Sequence, residues 1–234
     1  MAVFLFLLKD YYSTIIMSVE ANYSKLISQI PKTVNLVAVS KTYPVEDIQK
    51  VYNLGHKVFG ENKVQELVAK HTELPSDIQW HLIGHLQTNK VKYIAPFIHT
   101  IQSVDSEKLL QEIDKQAGKH KRLINILLQV KIAEEDTKTG LEVNEVKELC
   151  VKIKQGEFPN IKLQGLMGMA TFTDDETQIR REFSFLKQLY DYLSDSHQLN
   201  TLSMGMSGDF PLAIECGANS IRVGSAIFGA RNYQ

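Results

Sequence analysis

At 234 residues the chain is long enough for one large domain with a substantial core. Its 26 Lys and Arg against 27 Asp and Glu leave a net charge of −1, which excludes the basic face of a nucleic-acid binder and the polybasic patch of a membrane-surface protein. Cys150 and Cys216 match no metal or redox spacing, so they read as buried free thiols of a reducing compartment, the cytoplasm.

Residues 2–8 are an apolar run, too short to span a bilayer and lacking the basic start and cleavage site of a signal peptide. Residues 1–16 are expected to be a disordered upstream extension, with the folded domain over 17–234 and a helix starting just after Met17. Strands are expected near 34–40, 57–61, 78–83, 98–103, 124–131, 161–168, 200–204 and 220–223. Helical patterns fall between them, over 45–54, 63–70, 106–117, 144–154 and 177–194. In the first of these, Ile48, Val51, Tyr52 and Leu54 share one face. Asn144 and Thr177 suit an N-cap or a first turn.

Alternating strands and helices imply parallel strands joined by right-handed crossovers. Eight such units predict a single-domain α/β fold, the (β/α)8 TIM barrel. The alternative is an open doubly wound sheet, but no glycine-rich dinucleotide fingerprint follows the first strand. A barrel places its chemistry at the C-terminal ends of its strands.

The first of those ends is Ser40-Lys41-Thr42, after the Val-rich run Val34 to Val39. A Lys leaving a buried strand is either a polar cap or a working amine, because desolvation favours the neutral, nucleophilic form. The second strand ends in Gly60-Glu61-Asn62. His81 and His85 lie in the third, without the helix or the carboxylate of a zinc-protease arrangement, and no metal site is expected. Thr137-Lys138-Thr139-Gly140, after the fifth, is either a solvated loop or a second amine over the barrel mouth. The Met-rich segments 167–169 and 204–206 read as packing. Ser203, Ser207 and Gly208 follow strand seven, and Gly224-Ser225 follow strand eight. Those two loops are where barrels often hold a phosphate, although capping serines in tight turns give the same pattern. Arg222 shares a strand face with Gly224 and needs a partner inside the barrel. That partner is a carboxylate such as Glu61 or Glu215, or else a ring nitrogen of a bound cofactor.

Several longer motifs resemble one family in its own order. They are Val37-Ala38-Val39-Ser40-Lys41-Thr42, Phe59-Gly60-Glu61-Asn62-Lys63-Val64-Gln65-Glu66, and Trp80-His81-Leu82-Ile83-Gly84-His85-Leu86-Gln87-Thr88-Asn89-Lys90. Gly165-Leu166-Met167-Gly168-Met169, Leu202-Ser203-Met204-Gly205-Met206-Ser207 and Arg222-Val223-Gly224-Ser225-Ala226-Ile227-Phe228-Gly229-Ala230-Arg231 complete the set. From about Met17 onward the chain resembles the pyridoxal phosphate homeostasis protein family. The resemblance implies a barrel similar to the N-terminal domain of bacterial alanine racemase, with pyridoxal 5′-phosphate (PLP) as cofactor. It implies that Lys41 carries PLP as an internal aldimine and that Arg222 faces the pyridine nitrogen. Ser203, Gly224 and Ser225 would hold the phosphate, beside Ser207 of the same loops, and Asn62 would lie near the cofactor. Tyr43-Pro44 stands where Lys-Pro is commoner, and Ser225 where Thr is frequent.

An Arg at the pyridine nitrogen can donate a hydrogen bond but cannot accept a proton there, so the ring is a weak electron sink. Alanine racemase adds a second domain with a catalytic tyrosine, and this chain is expected to lack it. The expectation is a monomeric cytoplasmic PLP carrier for intracellular vitamin B6 homeostasis, with no catalytic residues, no nucleic-acid or membrane partner, and apo-PLP enzymes as recipients. The alternative is a PLP-dependent amino-acid racemase or related enzyme using Lys41 as base. A barrel for another phosphorylated metabolite is the reading without PLP.

Overall fold

In the computed structural model, which describes residues 18–134 and 139–230, eight short parallel strands close on themselves, each paired with its sequence neighbours and the last with the first. They are β1 (Asn35–Val39), β2 (Val58–Glu61), β3 (Gln79–Leu82), β4 (Thr100–Val104), β5 (Ile124–Gln129), β6 (Ile161–Met167), β7 (Thr201–Ser203) and β8 (Ser220–Val223). Helices separate them: α1 (Val19–Gln29) before β1, α2 (Val45–Asn53), α3 (Val64–Glu73), a 3₁₀ turn with α4 (Thr88–Lys90, Val91–Ile94), α5 (Glu107–Lys119), α6 (Val143–Lys154), α7 (Glu176–His197) and α8 (Phe210–Glu215). After β8 comes the short α9 (Ser225–Phe228). This is the (β/α)8 barrel that the alternation predicts. The short helices α4 and α8 carry too few turns to show a helical period in the sequence. The expected extension over 1–16 and Lys138 lie outside the described residues.

The strands form because Val, Ile and Leu dominate them and both of their faces are covered. Phe59 and Trp80 are register partners on the outer face, fully buried under the helices. Helix α5 turns Leu109, Leu110, Ile113 and Ala117 toward the barrel. Side chains start several helices where the sequence supplies acceptors. Ser106 Oγ accepts from the Leu109 N–H at 3.3 Å, and Glu142 with Glu145 forms a capping box on α6. Asp175 caps α7, so Thr177 sits in its first turn, as Asn144 does in α6.

Register decides which residues look inward. Arg222 pairs with Val37, and Val39 with Gly60. Gly60 in turn pairs with His81, and His81 with Thr100. Adjacent partners in a parallel sheet share a face, so these residues line the barrel interior, and Glu61 falls on the outer face. Among the described residues no helix is long and apolar enough to cross a membrane.

Candidate functional site

At the C-terminal mouth of the barrel lies a cavity of about 420 Å³ lined by Lys41, Asn62, Ser207, Arg222, Gly224 and Ser225. The structure thus brings six of the seven sequence-selected residues to one site. The loop over 170–174, after β6, forms another wall, with Phe172 at its tip 92% exposed. Met169 and Met206 also line the cavity, whereas Met167 and Met204 are core residues, so the packing expectation covers only part of the methionine-rich segments.

Lys41 is half-buried, just beyond β1. The turn that follows is closed by the Tyr43 N–H on the Ser40 carbonyl at 3.1 Å. Thr42 has φ 70°, a left-handed conformation that β-branched residues rarely adopt. Tyr43 anchors the far side: its hydroxyl donates to the Gly229 carbonyl at 2.5 Å, and its ring stacks on Phe228 at 4.9 Å.

Arg222 is 4% exposed. Its Nη1 donates to Ser203 Oγ at 2.6 Å and its Nη2 to the Gly168 carbonyl at 2.8 Å. Neither carboxylate considered from sequence is its partner. Glu61 points to the outer face, and Glu215 pairs with Arg180 at 2.7 Å. Burial therefore pushes Arg222 down to about 10, against a smaller opposing pull from the Asp209 charge. It remains a cation at neutral pH.

Ser203 is the selected residue that does not line the cavity. It is buried beneath Arg222, accepting from Nη1 and donating its own hydrogen to Gln102 Oε1 at 2.7 Å. Gln102 Nε2 then meets His81 Nδ1 at 2.9 Å. The donor order along this chain requires His81 Nδ1 to accept, which assigns its hydrogen to Nε2. His81 is pushed down to about 3 by desolvation, reinforced by His99, whose ring is stacked on it at 5.5 Å. Its neutral form suits that role. His85 instead turns to Asp105 at 3.0 Å, and among the described residues no group of three or more His, Cys, Asp or Glu is placed to hold a metal.

The loops after β7 and β8 are joined by the Gly224 N–H donating to Ser207 Oγ at 3.2 Å. Gly224 has no room for a side chain, since a Cβ there would lie 2.9 Å from the Val39 carbonyl oxygen. Ser225 is exposed at the first position of α9, where helical N–H groups lack intrahelical acceptors. Asn62 is set against Gly84, whose missing Cβ would lie 2.5 Å from the Asn62 carbonyl oxygen.

Sequence reasoning missed one buried ionic group. Lys70 of α3 reaches Glu61 Oε1 at 2.8 Å and Glu66 Oε1 at 2.6 Å, with Glu61 wholly buried and its Oε2 without a hydrogen-bond partner. Burial pushes Glu61 up to about 7, with Lys70 pulling the other way. The i, i+4 spacing of Glu66 and Lys70 was readable, but it looks like any exposed helix pair.

A single parallel barrel with a lysine, a buried arginine and paired serine loops around one mouth cavity defines the class: a barrel of the alanine racemase N-terminal type. The sequence profile described as "Alanine racemase, N-terminal domain" matches residues 16–232. The "Pyridoxal phosphate homeostasis protein" of Pasteurella multocida is 40% identical over 206 residues, covering 86% of this chain and 88% of that one. Its namesake from Aquifex aeolicus is 42% identical over 201 residues, covering 85% and 87%. Among solved structures, PipY of Synechococcus elongatus with PLP bound superposes with a TM-score of 0.80 at 35% identity, covering 90% of this chain and all of that one. The chain belongs to the pyridoxal phosphate homeostasis protein family.

Proposed function

We propose that this protein binds PLP through Lys41 and holds it as an intracellular reserve, without turning over amino acids. The observation that carries this reading is that Lys41, Arg222 and the Ser207–Gly224–Ser225 group line one cavity. Its size, about 420 Å³, lies within the roughly 300–1,000 Å³ of small-molecule sites. The donor set also fits the group: an amine for an aldehyde, hydroxyls and a side-chain-free backbone for a phosphate, and a fixed cation for a ring nitrogen. The relatives' names and the PLP-bound PipY structure support the same ligand.

Bound PLP supplies an aldehyde that captures amines and a ring that can withdraw electrons. The chain's own residues limit the second property. Arg222 is a donor with no proton-accepting capacity, and Ser203 and the Gly168 carbonyl hold it in place. A ring nitrogen held against it would stay unprotonated. Ser207 and Ser225 would offer hydroxyls to a phosphate, and Gly224, just after β8, would let the backbone approach it. Ser203 contributes by orienting Arg222. Asn62 and the apolar walls, Val39 and Ile83, complete the pocket. Carriage rather than catalysis is also in keeping with relatives named for homeostasis.

The test is spectral and chemical. Wild-type protein should turn yellow with PLP and, after borohydride, carry a covalent adduct on the peptide containing Lys41. Lys41→Ala should lose both. An adduct that persists on another lysine refutes the assignment. Racemisation of an amino acid at about one turnover per second or faster would promote the enzyme reading instead.

A further inference from the structure

We infer that Glu66, Lys70 and Glu61 are positioning residues that aim Lys41 into the cavity. The inference rests on the proposed role of Lys41. Its basis is the way the cluster grips the backbone on either side of that residue. The peptide plane before Lys41 ends in the Ser40 carbonyl, which accepts from Lys70 Nζ at 2.7 Å. The plane after Lys41 carries the Thr42 N–H, which donates to Glu66 Oε1 at 2.5 Å. Those two anchors are themselves bonded, Lys70 Nζ to Glu66 Oε1, at 2.6 Å. A residue's φ and ψ are the rotations between its two flanking peptide planes. With both planes tied to one rigid ionic unit, the Cα–Cβ direction of Lys41 is fixed.

Two further contacts make the unit rigid. Ser40 Oγ donates to Glu61 Oε1 at 2.6 Å, and Lys70 Nζ donates to the same oxygen at 2.8 Å. Lys70 thus uses its three hydrogens on Ser40, Glu61 and Glu66, the full donor capacity of an ammonium. Its side chain is 7% exposed and that of Glu61 is wholly buried. A buried ion pair is poor value as a source of stability, since apolar residues of similar volume often serve as well. It does fix geometry, through short directional bonds that an apolar contact lacks. The left-handed Thr42 points the same way: an unfavourable conformation persists where its surroundings over-determine it. The bond from its N–H to Glu66 is part of that constraint.

The step that benefits is capture of the aldehyde. Lys41 Nζ, deprotonated, adds to the aldehyde carbon; a carbon–nitrogen double bond forms, and the carbonyl oxygen departs as water with the two amine hydrogens. No oxidant or reductant is consumed. Orientation of the amine accelerates and favours this step without changing how the rest of the ligand is held.

The experiment compares full-length wild type, Glu66→Ala and Glu66→Gln with two probes. PLP reports capture, by the rate and extent of the yellow band and of the borohydride-trapped mass. Pyridoxamine 5′-phosphate, which lacks the aldehyde, reports non-covalent binding. Glu66→Ala should bind pyridoxamine 5′-phosphate within about twofold of wild type, yet capture PLP roughly tenfold less well, the effect of one lost charge-assisted hydrogen bond. Glu66→Gln keeps an oxygen for the Thr42 N–H and should restore most of the capture. If Glu66→Ala does not fold, Glu66→Asn replaces it, because its side-chain oxygen ends one carbon short. Equal capture by wild type and the shortened variant overturns the inference while leaving the proposed function intact. So does an equal loss for both probes, or no recovery in Glu66→Gln. A wild type that traps no PLP on Lys41 overturns the proposed function itself, and this inference with it.

Discussion

Replacing Arg222 with Met separates what this residue does for the fold from what it does for the ligand. Met matches the length of the buried side chain closely enough to leave little void, and it removes the charge. The fall of the guanidinium from its ordinary value to about 10 is net of the opposing Asp209 charge, so burial costs at least about 3 kcal/mol at ~1.4 kcal/mol per pH unit. Against that relief stand two hydrogen bonds from a charged donor, to Ser203 and Gly168, each worth about 1.5–3 kcal/mol. The terms nearly cancel, because no carboxylate is left behind unpaired. Ligand-free Arg222→Met, stripped with hydroxylamine, should therefore lie within about 2 kcal/mol of wild type in urea titrations. With PLP the same variant should bind more weakly and show a shifted absorbance band, since nothing then keeps the pyridine nitrogen unprotonated. A ligand-free loss above about 4 kcal/mol would refute the reasoning, because it would require a strong ionic partner for Arg222.

The phosphate end is tested by Ser225→Glu, whose new charge sits on the exposed first turn of α9. It should weaken PLP by roughly tenfold or more while leaving pyridoxal, which has no phosphate, nearly unchanged; equal effects would place the phosphate elsewhere. Gly165→Ala should destabilise by about 3 kcal/mol or more, because the added Cβ would collide with the Thr201 carbonyl oxygen and force β6 from β7; thermal unfolding within about 3 °C of wild type contradicts this. His81 titrates at about 3 when folded against 6.5 ordinarily, so its contribution to stability is complete above pH 6.5 and is lost as pH falls toward 3. His81→Gln should remove that acid-side slope, at most about 1.4 kcal/mol per pH unit, in urea midpoints measured at several pH values. Parallel profiles for wild type and variant would disprove it. Glu61, raised to about 7, acts in the opposite sense, its contribution complete below its ordinary 4.5 and fading as pH rises toward 7.

The sequence by itself determined the number of strands, their order and their approximate bounds. Each strand is a short β-branched or apolar run, and most are flanked by amphipathic helical patterns; such periodicity is a local property that survives without contacts. Once the barrel was inferred, the strand ends were the place to look, which put Lys41, Asn62, Ser207, Gly224 and Ser225 among the candidates; the resemblance to the family, not the rule, singled them out from the polar caps and turns that share those positions. The tertiary structure decided what depends on register between strands. Glu61 and Arg222 are 161 residues apart in sequence, and only the pairing of Arg222 with Val37 and of Val39 with Gly60 shows that they occupy opposite faces. The same register drops Ser203 beneath Arg222 instead of into the cavity and aligns it with Gln102, a partner 101 residues away. The grip of Lys70 and Glu66 on the peptides beside Lys41 was hidden for a related reason. A charged residue on a helix reads as solvated until the packing angle of that helix shows it pressed against a strand end, where its charge is buried and its bonds become directional.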